Sequence, residues 1–181
     1  MKIAIDIGHA HGTGASGNGA QEHAVCSKLA EALKKALESF KVDRFEVDII
    51  DFPALSNGAD LAAAAKAVNA GKYAACVSLH MDWSDDPDDH GAHVCYCSAA
   101  GKRLADEIAL RLCPQMPGRA EKTVKRSGLY ILRKTRPAAV LVECGFITNE
   151  GDTRWVIEHP DKVAMAIALG VSAGLNLNMS L

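Results

Sequence analysis

Residues 1–7 (MKIAIDI) form a short apolar run that meets Gly8-His9 with no intervening turn. This junction constrains the fold more than any other feature of the chain. The glycine-rich loop HGTGASGNGAQ follows and leads to Glu22 at the mouth of a helical pattern. A second apolar run, residues 74–79, ends on His80, and a third, residues 138–142, ends on Glu143. Three strand ends thus deliver His, His and Glu, and a helix start adds another Glu. That combination points to a zinc site with a general base beside it, the equipment of a metal-dependent hydrolase.

Composition narrows the class. At 181 residues one domain spanning 1–181 is expected, large enough to bury roughly 70% of its unfolded surface. The net charge of −2 and the absence of a Lys/Arg cluster give no electrostatic case for nucleic acid. No apolar run approaches the ~20 residues of a membrane span. Lys2 is followed at once by the first core strand, so no signal-peptide pattern is present and synthesis in the cytoplasm is expected. The six cysteines show no disulfide spacing, and most lie in apolar stretches as reduced, buried thiols, which favours a reducing compartment. Cys144 adjoins Glu143, but no histidine stands beside it in sequence to activate it.

Between the strands the apolar spacing is helical. Val25, Leu29, Leu33, Leu37 and Phe40 mark an amphipathic helix over 22–40. Residues 45–49 alternate as a strand with one wet face. Leu61, Ala64, Ala65 and Val68 mark a second helix entered through Ser56-Asn57-Gly58. A polar loop, DWSDDPDDHG, leads to a strand at 93–97, and Leu104, Ile108 and Leu112 mark a helix closed by Pro114. Residues 115–128 lack periodicity, and 129–132 read equally as strand or turn. Asn149 and Asp152 fit a cap and third-position acid of a helix holding Trp155 and Ile157, and a last helix covers about 161–175. The expected fold is α/β: a three-layer α/β/α arrangement with a mainly parallel, twisted mixed sheet flanked by helices. No internal repeat or linker calls for a second domain.

Ligands of open α/β sheets sit beyond the carboxyl ends of the strands, where His9, His80 and Glu143 all fall. Two histidines and one glutamate meet the count of a catalytic zinc site that keeps a fourth position for water. Two decoys resemble other sites. Gly12-Thr-Gly14-Ala-Ser-Gly17 has the dinucleotide spacing, yet four residues separate it from the strand and the helix begins only near Glu22. His90-x-x-His93 lies on a loop entering a strand, not on one helix face. His23 and His159 are read as surface or loop residues.

The blocks IDIGHAHGTGASGNGAQEHAV, VSLHMD and LYILRKTRPAAVLVECGFITNEGD, in this order from residue 3 to beyond 170, resemble the zinc-dependent N-acetylmuramoyl-L-alanine amidases of cell-division amidases and phage endolysins. By that resemblance one Zn2+ per chain is held by His9, Glu22 and His80, and Glu143 is the catalytic carboxylate. The implied reaction is hydrolysis of the amide between N-acetylmuramic acid and L-alanine in peptidoglycan, with action on the cell wall after release or export. Carboxypeptidase, deacetylase or catalytically silent wall-binding roles are the alternatives. The family often carries Gly-Gly-x-Asp after the first histidine, where this chain has Ala10-His11-Gly12-Thr13, so His11 becomes a candidate substrate contact. Asp82, at the head of the acidic loop 82–89, is a candidate partner for a cationic stem-peptide group. Lys125 and Arg126 are candidates for substrate carboxylates. The inhibitory helix inserted in some cell-division members has no counterpart, so no obligate protein activator is expected.

Overall fold

The computed structural model describes residues 1–41, 44–52 and 54–175. In chain order these form β1 (Lys2–Ile7), β2 (Ser16–Gly17), β3 (Ala20–Gln21), α1 (Glu22–Glu38), β4 (Glu46–Ile50), α2 (Asn57–Ala70) and β5 (Ala75–Asp82). There follow β6 (His93–Tyr96), α3 (Ala99–Leu112), β7 (Thr123–Lys125), α4 (Tyr130–Lys134), β8 (Ala138–Phe146), α5 (Glu150–Glu158) and α6 (Pro160–Gly174). Six strands make one sheet in the order β4-β1-β5-β8-β6-β7, and β2 pairs with β3 as a separate antiparallel ribbon. Within the large sheet only β6 runs antiparallel to a neighbour, β8.

Parallel strands are joined by helices that cover both faces, so the central strands are buried on both sides and read as unbroken apolar runs. Alternate residues sort the two layers. Ile3, Ile5, Val77, Val140 and Val142 pack with α1, α3 and α6 in the larger core. Ala4, Cys76, Cys95, Ala139 and Leu141 pack with α2 and α4 in the smaller one. The three-layer expectation holds.

Several local readings change. β8 does not stop before Glu143 but continues to Phe146, and β5 continues through His80 to Asp82, with a register irregularity between those two residues. Both side chains therefore stand in the last turns of pleat, held by strand pairing. Residues 129–132 lead into the short helix α4, and the aperiodic stretch 115–128 contains the edge strand β7. Asn149 caps α5 by accepting the Asp152 N–H. The Asp152 carboxylate, however, accepts the Gly91 and Phe146 N–H groups at 2.7 and 2.9 Å, tying the loop before β6 to the end of β8.

Asp6 shows what burial beneath the strand ends costs. It is 5% exposed and accepts the Ser78 hydroxyl at 2.6 Å. Burial pushes its carboxyl up to about 6, above the ~3.9 of an unfolded aspartate. Folding therefore favours the protonated form, so this stabilisation is full below pH ~4 and lost as pH rises through about 6. Asp6→Asn stays neutral throughout. In chelator, its melting temperature should gain on the wild type between pH 4 and 7, whereas a difference independent of pH would contradict a buried, titrating Asp6.

Candidate metal centre

The first strand delivers His9 by an abrupt exit from the sheet. Gly8 N–H donates to Leu79 O at 3.0 Å, so the chain leaves alongside the end of β5. His9 then takes a left-handed backbone conformation, φ 66°, uncommon for a residue with a side chain. The loop that follows folds back on itself through the β2–β3 ribbon. Ala15 and Glu22 close it twice: Glu22 N–H donates to Ala15 O at 3.0 Å, and Ala15 N–H to Glu22 Oε2 at 2.8 Å. Gln21 caps α1 and also binds Thr13 O. Glu22 thus starts α1 as a buried acid in the first turn, where the helix dipole favours negative charge.

Glu22 binds both histidines. Its Oε1 lies 3.0 Å from His80 Nδ1 and its Oε2 3.3 Å from His9 Nε2. The imidazole rings meet edge to face with centroids 5.1 Å apart. Glu22 Oε1 also accepts the Met81 N–H at 3.1 Å. Burial alone would raise this carboxyl, but the bonds to His80 and His9 outweigh it and hold the group well below the usual carboxylate range. Burial likewise disfavours the His80 cation, yet the Glu22 bond and the charge of Glu143 prevail and lift it to about 9. The arrangement favours a positive charge at the centre of the cluster. One ligand atom from each of His9, Glu22 and His80 falls within 4.8 Å of the others, a set able to hold a metal ion.

Glu143 lies opposite His80 in the β5–β8 register and opposite His93 across β6. Its Oε2 is buried without a hydrogen-bond partner, and burial pushes its carboxyl up to about 7. His93 is 3% exposed, with a buried Nδ1 that lacks a hydrogen-bond partner and lies 3.9 Å from Asp82 Oδ2. Sequence reasoning set His93 aside with the His90 pair; alternation put it on one face with Cys95, and the pairing with β8 makes that the Glu143 face. His90 instead meets Pro117 O at 2.9 Å.

The remaining candidates divide. Asp82 sits beside His93, while Asp85, Asp86, Asp88 and Asp89 are exposed in a turn anchored by Asn149 on Pro87 O and by Thr148 on Ser84 N–H. His11 is exposed and stacks on His23 with centroids 5.8 Å apart, outside the triad. His23 is not a surface residue: it is 7% exposed on α1 and meets Asp51 at 3.1 Å. Lys125 pairs with Tyr96, so the pleat sets it on the sheet face opposite Glu143; Arg126, next in sequence, comes to Cys95 on the Glu143 side. All six cysteines are free, and burial together with Glu143 pushes the Cys144 thiol far up, which leaves it no nucleophile.

Two imidazoles facing one carboxylate, with a second carboxylate in register, fit a metal-dependent hydrolase. Residues 3–173 match the N-acetylmuramoyl-L-alanine amidase family, and the chain belongs to it. The amidase LytC of Bacillus subtilis (strain 168) is 30% identical over 173 residues, a match covering 91% of this chain and 34% of LytC. The chain therefore spans about a third of that relative. The catalytic domain of the CD27L endolysin, which targets Clostridia difficile, superposes with a TM-score of 0.85 at 27% identity over 99% of each chain. The CwlD amidase of Clostridioides difficile, solved in complex with the GerS lipoprotein, shares the fold with a TM-score of 0.85 at 19% identity, covering 98% of this chain and 99% of CwlD.

The approach of Gly8 to His80 provides a test of the metal geometry. A Cβ on Gly8 would lie 2.3 Å from the His80 ring, so Gly8→Ala must displace the imidazole while leaving the strand intact. The variant should lose metal to a chelator at concentrations at least about tenfold lower than the wild type, with helix and sheet content retained. Equal retention would show that the His80 ring does not bind the metal from this position.

Proposed function

We propose that the protein is a zinc-dependent N-acetylmuramoyl-L-alanine amidase that cleaves peptidoglycan at the amide joining N-acetylmuramic acid to L-alanine. The observation that carries this reading is the meeting of His9, Glu22 and His80 with Glu143 in register beside them, in a chain of this family. The donor set fits zinc: two imidazole nitrogens and one carboxylate, with room for a fourth ligand. A zinc ion held there supplies Lewis acidity toward an amide carbonyl and a reactive water near neutral pH.

The protein's own groups do the rest. Glu22 orients both imidazoles and neutralises charge. Glu143, whose Oε2 has no hydrogen-bond partner, takes the proton of the attacking water and hands it to the departing alanine nitrogen. Glu22 and Glu143 thereby divide the labour of two carboxylates: one is committed to the imidazoles, the other remains free to move a proton. Peptidoglycan is the partner in this reading, and the site of action is the cell wall. No helix among the described residues is long and apolar enough to cross a membrane.

Glu143→Gln should keep its zinc and its fold and lose about 10²-fold or more in turnover. Digestion of purified walls by the wild type should expose new N-terminal alanine, read by mass spectrometry of the fragments. Release of D-alanine or acetate, or a Glu143→Gln variant as fast as the wild type, would refute the proposal.

A further inference from the structure

The Glu143 face of the sheet extends past the triad. Successive strands of a sheet lie about 4.8 Å apart, so His93 on β6 stands two spacings, roughly 10 Å, from His80 on β5. Beyond it come two arginines. Arg126 follows β7, is exposed, and by alternation from Val124, the partner of Cys95, falls on the face that Cys95 shares with His93. Arg119 lies with its guanidinium carbon 5.3 Å from the centre of the Phe146 ring. Its loop is pressed against the segment before β6. Ala92 N–H donates to Met116 O at 2.9 Å, and a Cβ on Gly118 (φ 140°) would strike His90 O at 2.4 Å.

Both guanidiniums act on His93. Burial and their two charges lower it to about 4, against the opposing pull of Asp82. Among the described residues neither arginine forms a salt bridge with a carboxylate; the ion pairs of arginine found there belong to Arg111 and Arg154. Two arginines outnumber Asp82 among the charges that act on His93, and Glu143 stands opposite it on β8. The same ring keeps a buried Nδ1 without a hydrogen-bond partner. A hydrophobic wall, two unclaimed planar donors and an unsatisfied imidazole nitrogen suit a carboxylate, which arginine recognises with paired hydrogen bonds.

We infer that Arg119 and Arg126, with His93 at their base, bind a free carboxylate of the stem peptide, on the residue following the scissile alanine. An extended peptide covers roughly 3.5 Å per residue, so two residues and a long arginine side chain span the interval from the metal cluster to β6 and β7. The inference deepens the amidase reading and rests on it for the choice of ligand. It assigns this chain a preference between wall types, because amidation of that carboxylate removes the charge the arginines recognise.

Two synthetic muramoyl peptides, identical except for a carboxylate or a carboxamide on the second residue, test it. The wild type should cleave the carboxylate form at least about tenfold more efficiently, with the difference mainly in KM. In Arg119→Gln/Arg126→Gln that ratio should fall toward one, and Arg126→Lys should restore part of it. Calorimetric binding of both peptides to Glu143→Gln supplies a readout without turnover. Cleavage of both peptides with equal efficiency and equal binding would overturn the carboxylate site and leave the amidase assignment standing. Tighter binding of the carboxylate form without cleavage of either would support the site and refute the reaction. Neither cleavage nor a binding preference would overturn both.

Discussion

A single buried carboxylate organises the histidine cluster at the strand ends of this molecule. Glu22 accepts hydrogen bonds from the Ala15 and Met81 backbone while facing His9 and His80 with its two oxygens. Removing a buried ionised group with this many partners leaves them unmatched, at a cost of about 3 kcal/mol or more. The same bonds fix the geometry: one oxygen belongs to the β5 side, the other to the loop after β1. The loop's glycines serve this closure. The hairpin of β2 and β3 lets the chain turn back so that residues thirteen positions apart share one site.

The sheet supplies what Glu22 does not. Parallel pairing of β1, β5 and β8 brings three strand ends to one edge, and the antiparallel β6 enters from that edge with His93 opposite Glu143. A carboxylate at the start of α1 and one on β8 then acquire opposite characters. Glu22 is surrounded by donors and stays ionised; Glu143 is buried, and burial outweighs the opposing charge of His80 and raises its carboxyl to about 7. Environment, not residue type, separates the proposed ligand from the proposed base.

The amino-acid sequence made part of this arrangement legible. Apolar runs ending in His80 and Glu143 reported both the strands and the residues at their ends, because doubly buried strands leave little ambiguity. The helical stripe from Val25 to Leu37 was equally direct. Short elements were not legible: β2, β3 and β7 are two or three residues long and carry no measurable period. Tertiary partners hid other features. His23 is buried because Asp51 meets it, Asp152 serves Gly91 as well as its own helix, and Lys125 is turned away by its register with Tyr96. His93 opens an expected strand, but its place beside Glu143 emerges only once β6 is paired with β8.

Zinc-edge anomalous diffraction from crystals of the zinc-loaded protein tests the central claim most directly. One peak should lie about 2.0–2.2 Å from an imidazole nitrogen of His9, an imidazole nitrogen of His80 and a carboxylate oxygen of Glu22, with Glu143 outside bonding distance. A peak bonded to Glu143 in place of Glu22, or zinc bound away from His9 and His80, would contradict the account.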